Sequence, residues 1–338
     1  MQRGRPTSAI LLVGGFGTRL QPLTYRTPKP MLPVAGIPFA EHQIAKARAA
    51  GITEIVLATS YLAEVFQPHF GGGERFGIKI SYAVEKSALG TGGAIANAAQ
   101  LLSGSGPIVV FNGDVLSSHD MQAQMDLHLT GDADATLHLT TVADARAFGV
   151  VEMDGSRILS FNEKMENPPT KIINAGCYIF NPGVIDAIAR DRAVSVEREV
   201  FPALLADGSR ILGYLDSSYW LDIGTPAALL RATADLISGA ARSIAFDELL
   251  EQGVYTRRAG SLVARDAGID ASALIEDGSL IASTARIENG ARIVSSVIGN
   301  GARIGPGARL TNTFVAPNYE FPGGFIAENQ FFGYFAEK

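Results

Sequence analysis

Gly14, Gly15 and Gly17 lead into Thr18 and Arg19, and Lys29 follows between Pro28 and Pro30. Glycines let a backbone pass close to a ligand, and successive N–H groups form a concave site for an anion. Arg19 can fork onto two phosphate oxygens, while Lys29 supplies a point charge on a chain stiffened by its prolines. That set suits a polyphosphate. A plainer reading is a tight strand-to-loop turn carrying two surface cations. Two other phosphate loops are excluded. The Walker A pattern G-x-x-x-x-G-K-[ST] does not occur in this turn, and Leu20 stands where a dinucleotide fingerprint needs its third glycine.

The other candidates are weaker on type and spacing alone. Asp114 and Asp222 each read first as a turn or capping aspartate. Hard oxygen ligands on separate strand ends are nonetheless what a phosphate-bound Mg2+ takes, since it keeps waters and needs only one or two carboxylates. Lys164 beside Glu163 reads equally as a solvated lysine, and "VEREVF" (196–201), which holds Glu197, as a helix start with exposed charges. Trp220 reads as packing, His42 and Asn97 as structural, and Cys177, inside an apolar run, as a buried and inert thiol.

These residues need elements to hold them. "AILLV" (9–13), "EIVLATS" (54–60), "KISYAVE" (79–85), "PIVVFNGD" (107–114) and "ATLHLTTV" (135–142) read as strands. Between them, "PFAEHQIAKARAAG" (38–51) reads as a helix ending on Gly51, and "GTGGAIANAAQLL" (90–102) as a helix opening on glycines, as at a ligand. Strands alternating with helices predict an α/β fold on a mostly parallel sheet. Ligands of such sheets sit beyond the carboxyl ends of the strands, where "GGFGTR", "GTGG" and "NGD" fall.

The grammar changes after about residue 240. Aliphatic residues recur every six positions at Ile269, Ile275, Ile281, Ile287 and Ile293, then slip by one and resume at Ile298, Ile304 and Leu310. A six-residue period marks a parallel β-helix, and roughly eight such hexads predict two to three coils. The module reads as a stability or oligomerisation platform. Hexapeptide-repeat acyltransferases use a histidine base in or near the coils, and all five histidines, His42, His69, His119, His128 and His138, precede it. The tail 319–338 carries four phenylalanines after Pro322, plus Tyr334, and is expected to dock on the module or on a neighbouring subunit.

Bulk composition narrows the class. A net charge of -6 gives no basic field for nucleic acid, and 47% hydrophobic with 18% charged residues describes a globular chain with ample core. One cysteine permits no intrachain disulfide, and no apolar run is long enough to span a membrane. A cytoplasmic protein is expected, with no membrane partner and as a homo-oligomer, dimer or larger.

The opening turn and its continuation "TPKPMLPV" closely resemble the signature of the sugar-1-phosphate nucleotidyltransferases, the NDP-sugar pyrophosphorylases. The resemblance continues in family order through "EKSALGTGGAI" (85–95), "FNGDV" (111–115), "FNEK" (161–164), "INAGCYIF" (173–180) and "YWLDIGTP" (219–226). It implies a Rossmann-like catalytic domain over 1–240, on a mostly parallel mixed sheet with flanking helices, a linker over 241–262, and a short left-handed β-helix with tail over 263–338. It also implies nucleotide contacts at Val13, Gly14, Gly15, Gly17, Thr18, Glu85, Leu89, Gly90, Thr91 and Asn112. Sugar contacts fall at Gly149, Glu163, Asn174, Gly176 and Glu197, and Mg2+ ligands at Asp114 and Asp222. Arg19, Lys29 and Lys164 become the catalytic cations, with Lys164 on the sugar phosphate.

What the resemblance implies is transfer of a nucleotidyl group from an NTP to a sugar-1-phosphate, with release of pyrophosphate. Within the family, "GGFGTRL", "HQI" (42–44), "VEREVFP" and the short β-helix look most like mannose-1-phosphate guanylyltransferases, which implies GTP with mannose-1-phosphate. Two departures stand against that subgroup: Gly113, where many members have serine, and "EKMENPP", where proline usually follows the lysine directly. The alternatives are glucose-1-phosphate with dTTP, UTP or ATP, and a catalytically silent regulatory paralogue.

Overall fold

The structure is a computed structural model and describes residues 4–60, 63–85 and 87–333. Its contacts divide the chain into two compact units. The first runs to Gly14 and resumes over Gln43–Trp220; the second takes Gly15–His42 and everything from Leu221 onward.

The first unit is built on nine strands: β1 (Ser8–Leu12), β2 (Glu54–Thr59), β3 (Lys79–Val84), β4 (Ile108–Asn112), β5 (Ala135–Thr141), β6 (Gly149–Asp154), β7 (Arg157–Glu163), β8 (Ile172–Phe180) and β9 (Ile211–Leu215). They lie in the order β3-β2-β1-β4-β8-β5-β9-β7-β6. β3, β2, β1 and β4 are parallel neighbours, as the sequence alternation expects. Ser8–Leu11, Ile55–Thr59 and Ile108–Phe111 are continuously buried, the mark of strands covered on both faces. Beyond β4 the sheet is mixed. β8 runs antiparallel to both β4 and β5, and β6 and β7 form a hairpin too tight for a parallel crossover. Ile10, Val110, Leu137, Tyr178, Phe180 and Phe201 belong to the core of this unit.

A buried polar network also lies here. From the helix Phe39–Ala49, the Gln43 amide donates to the Val115 carbonyl, and Lys46 Nζ donates to the Ser117 carbonyl and to His119 Nδ1, both at 2.8 Å. With Nδ1 accepting, His119 Nε2 donates to Gln124 Oε1 at 3.1 Å. Gln124 in turn donates to the carbonyls of Thr136 and Cys177. The His119 and His138 rings stack at 3.8 Å. Burial pulls Lys46 down to about 8 and His138 to about 3. Cys177 is buried and its thiol is pushed up to about 12 by burial, so it stays protonated, as the apolar run implies.

In the second unit the helices Pro226–Ser238 and Ile244–Glu251 lead to a hairpin, Tyr255–Arg258 with Ser261–Ala264, and then to the coils. Thr225 caps the first helix by accepting from the Ala228 N–H, and Gly239 closes it at φ 83°. The β-helix stacks three parallel sheets. Ile269 pairs with Ile287, Ile304 and Phe321 in one; Ile275 with Ile293, Leu310 and Ala327 in the second; Val263 with Ile281, Ile298, Val315 and Phe332 in the third. These columns form its core.

Two of these sheets hold four strands among the described residues, so the expected two to three coils were too few. Val315, Phe321 and Phe332 fill the corner positions beyond Leu310, where the aliphatic count ended. The slip in the sequence period falls where the paired residues change from eighteen to seventeen apart, Ile275–Ile293 against Ile281–Ile298. A column of hydroxyls ties the coils together: Ser261, Ser279 and Ser296 each accept from the N–H of the residue stacked on them, the last from Thr313, at 3.0–3.2 Å.

Tyr319, Phe321, Phe325 and Phe332 pack as one aromatic cluster against the last coil, so the described part of the tail docks on its own module. Tyr334 and Phe335 lie outside the described residues. Among the described residues no helix is long and apolar enough to cross a membrane.

His42, fully buried in the second unit, is lowered to about 4 by burial, as His138 is to about 3 in the first. Both values lie below the ordinary ~6.5 of an unfolded chain, so the native state binds fewer protons there. The stability these neutral rings contribute is whole above that value and is lost as pH falls through it. Each ring should cost about 2 kcal/mol of stability by pH 5. The thermal midpoint should therefore fall steadily from pH 7 to pH 5, and His138→Phe should make the decline shallower; a flat profile would contradict the buried neutral rings.

Candidate active site

The glycine-rich turn begins where β1 ends. Val13 is buried and its N–H donates to the Ala58 carbonyl at 3.0 Å, while Gly14, Gly15, Thr18 and Arg19 are exposed. Gly17 is left-handed, at φ 58°, and its carbonyl accepts from the Thr24 hydroxyl at 2.9 Å, which doubles the loop back on itself. Lys29, half-buried at the start of the short turn Lys29–Met31, runs beside the glycines: a Cβ on Gly17 would stand 3.3 Å from its own.

The same unit brings Arg19 to Asp222. A Cβ on Gly224 would lie 2.8 Å from Arg19 Nη2 and 2.9 Å from Asp222 Oδ1. The bare Cα therefore makes the space in which guanidinium and carboxylate stand together. Gly224 lies in "YWLDIGTP", where its small size at a fixed offset from Asp222 was the available signal.

Within the first unit, three groups of expected residues assemble. Thr91 heads the helix Gly90–Ala99, and its hydroxyl donates to Glu197 Oε2 at 2.8 Å while accepting from the Val196 N–H. Glu197 sits on a single π-turn, Val196–Val200, which Ser195 caps by accepting from the Arg198 N–H. Such turns recur at functional sites. Glu163, at the end of β7, pairs in register with Gly149, and its carboxyl is raised by burial and then by the nearby Glu197 carboxylate. Lys164 follows in the left-handed region at φ 55°, a conformation strained for lysine; its side chain is mostly exposed and its Nζ stands 3.7 Å from Glu163 Oε1.

Asn174 and Gly176 form the third group with Asn112. A bulge in β8 between Asn174 and Tyr178 lets Asn174 Oδ1 accept from the Gly176 N–H at 3.1 Å and Asn174 Nδ2 donate to the Tyr178 hydroxyl at 2.8 Å. Trp220 Nε1 donates to the Ala175 carbonyl at 3.0 Å and its ring packs edge-on to Phe148, so packing and anchoring of the bulge are its work. Asn112 lies against Gly176.

Asp114 is half-buried in the turn between β4 and the short strand Val115–Ser117. The glycine before it is required: a Cβ on Gly113 would lie 2.2 Å from the Leu12 carbonyl oxygen, so a serine cannot enter without shifting that backbone. Gln43 and Lys46, which grip the Val115 and Ser117 carbonyls, were not singled out by the sequence. Two polar residues three apart on a helix with Ile44 and Ala47 buried beside them were the clue.

Two of the amides at the start of the helix Gly90–Ala99 are engaged within the chain. The Gly92 and Gly93 N–H groups donate to the Val194 carbonyl at 2.8 and 3.4 Å, and a Cβ on Gly90 would stand 2.5 Å from the same oxygen. Smallness here admits the chain segment that carries Glu197. Glu85 likewise turns inward, its carboxylate accepting from the Leu89 N–H at 3.3 Å and raised by burial.

A glycine-rich loop that carries Arg19 and Lys29, with Arg19 next to Asp222 over the bare Cα of Gly224, is the kind of site that takes a phosphate. The nucleotidyl transferase family model matches residues 8–239, and the chain belongs to that family. It is 49% identical over 322 residues to the mannose-1-phosphate guanylyltransferase of Mycobacterium tuberculosis, covering 95% of this chain and 82% of that one. It is 34% identical to mannose-1-phosphate guanylyltransferase 1 of Arabidopsis thaliana, covering 91% and 90%. Among solved structures it is similar to a candidate glucose-1-phosphate thymidylyltransferase from Bacillus anthracis, at TM-score 0.62 and 27% identity over 67% of this chain and 94% of that one.

Enzymes of this family use a divalent metal. Among the described residues no group of three or more His, Cys, Asp and Glu side chains is placed to hold a metal ion. Asp114 and Asp222, each in its own unit, carry hard carboxylate oxygens of the kind a phosphate-bound divalent ion takes.

Gly224→Ala is expected to lower kcat/KM roughly 10²–10³-fold, the scale of losing one transition-state donor, because the new methyl displaces Arg19 and Asp222. The check is steady-state kinetics beside a thermal melt: full activity in the folded variant would show that this packing does not matter.

Proposed function

We propose that this enzyme joins GTP and mannose-1-phosphate to give GDP-mannose and pyrophosphate. The observation that carries the reaction type is Arg19 standing beside Asp222 over Gly224, which unites two motifs distant in sequence. Similarity to the Mycobacterium and Arabidopsis enzymes supports the choice of base and sugar.

A sugar-phosphate oxygen attacks the α-phosphorus in line, the new P–O bond forms, and the bond to the β-phosphate oxygen breaks with pyrophosphate leaving. The nucleophile is already an anion at neutral pH, so no side chain has to take a proton. That agrees with histidines that are neutral and structural at 42, 119 and 138. The protein's part is to position the reactants and offset their charge. The amides of Gly14–Thr18 and Arg19 hold the β- and γ-phosphates. Lys29 offsets charge at the α-phosphate or the leaving group. Lys164 draws in the sugar phosphate, with Glu163, Asn174, Gly176, Glu197 and Gly149 shaping the sugar subsite. Val13, Glu85, Leu89, Gly90, Thr91 and Asn112 surround the nucleoside. Mg2+, held by Asp114 and Asp222, would supply neutralisation of phosphate charge when bound.

A catalytic role for 1–240, a linker at 241–262 and a supporting role for 263–338 belong to the same proposal. So do a cytoplasmic location and a homo-oligomer of two or more copies.

The deciding experiment is pyrophosphate release with each NTP crossed against mannose-1-phosphate and glucose-1-phosphate in Mg2+. Turnover confined to GTP with mannose-1-phosphate is expected. Turnover with another pair would keep the chemistry and replace the substrates, and silence with ligand binding intact would mark a regulatory paralogue. In the active pair, Lys164→Ala should raise the KM for sugar-1-phosphate and cut kcat by roughly 10²–10³-fold. Both constants staying near wild type would remove Lys164 from the site.

A further inference from the structure

The loop from Gly15 to His42 holds Arg19 and Lys29 yet has little regular structure of its own. It contains two short turns, Thr18–Leu20 and Lys29–Met31, and a two-residue hairpin, Pro33–Val34 with Ile37–Pro38. A segment with so little regular structure is steadied by contacts from outside it. It belongs to one compact unit with the C-terminal helices and the β-helix.

Four elements of that module reach the loop. The Ala35 N–H donates to Thr233 Oγ1, in the helix Pro226–Ser238, at 3.1 Å. His42 Nε2 donates to the Val34 carbonyl at 3.0 Å, which leaves Nδ1 to accept from the Ser243 hydroxyl at 2.6 Å. Gly36, at φ 85°, lies under the Tyr255 hydroxyl, 2.8 Å from where a Cβ would be. Gly333, just past the strand Phe331–Phe332, lies on the Pro22–Leu23 peptide: a Cβ there would stand 2.6 Å from Pro22 C and O and 2.8 Å from Leu23 N. This last contact is backbone on backbone, between Arg19 and Lys29.

We infer that the C-terminal module is the mount of the phosphate-binding loop, and that Gly333 is a positioning residue setting where Arg19 and Lys29 stand. The inference rests on the reading of this loop as nucleotide-binding. The module's stacked parallel columns make it stiff, and neither partner at Gly333 has a flexible side chain to absorb a clash. Any side chain at 333 therefore pushes the loop, and displacement by about 1 Å at a phosphate site costs as much as 10²-fold in rate.

The test is Gly333→Ala in the full chain, read three ways. The KM for NTP should rise roughly tenfold with a fall in kcat, while the KM for sugar-1-phosphate stays within about twofold. Trypsin should cut after Arg19 and Arg26 several-fold faster than in wild type, with the thermal midpoint little changed. Unchanged cleavage and unchanged KM in the folded variant would overturn the inference. Cleavage needs no turnover, so if no substrate pair is active the functional reading fails while the mount is still judged by protease alone. Should Gly333→Ala not fold, Thr233→Val strips the Ala35 N–H of its acceptor without touching the coils. It should accelerate the same cuts, and equal rates there would overturn the inference as well.

Discussion

An irregular loop that must keep two cations in fixed places has to borrow its rigidity. Phosphate recognition depends on amides and charges held still before the ligand arrives, and the turn around Gly14–Thr18 is irregular, closed by short local bonds from the Thr24 hydroxyl and the Leu20 N–H to the Gly17 carbonyl. Much of the second unit answers that need. Its helices and hairpin bond the stretch Val34–His42, and its coils end against the Pro22–Leu23 peptide.

The first unit solves the same problem in another way, by docking chain on chain. The segment Val194–Glu197 lies along the start of the helix Gly90–Ala99, so Thr91 and Glu197, expected at different substrates, share one hydrogen bond. Behind Asp114, Gln43 and Lys46 reach out of one helix to alternate carbonyls of the next short strand. A buried ammonium is costly, and Lys46 is drawn down to about 8 by it, yet the Ser117 carbonyl and His119 Nδ1 both accept from it. The result is that the strand following Asp114 is held by polar bonds in a place that apolar packing alone could not orient.

How much of this was legible depended on the kind of signal. Strands with unbroken apolar runs, such as β1 and β4, fell within a residue or so of their expected bounds, because burial on both faces leaves a continuous mark. The β-helix showed itself by period, but its length did not: the aliphatic count ended at Leu310, and the corners beyond it are filled by Val315, Phe321 and Phe332. At the site, residues with charge stood out and residues with absent side chains did not. Gly224 and Gly333 act by leaving room, and room cannot be read from one chain. Gly113 shows the converse: its departure from the expected serine looked like a subgroup difference and is a backbone requirement. A mixed sheet was expected, but which of its strands run antiparallel was not legible, since a hairpin such as β6–β7 resembles any pair of short strands until its partners are known.

The coil repeat carries a consequence for how such a chain can vary. Each coil stacks on the last through in-register columns, so the module could gain or lose a whole turn without upsetting its own packing. Every added turn, however, would carry the end of the stack about 4.8 Å further along, the spacing of neighbouring strands. Gly333 would then overshoot the Pro22–Leu23 peptide altogether. The number of turns is thus a ruler cut to the distance between the hairpin at one end and the loop at the other, and length variation in this module is confined to what its corners can absorb one residue at a time.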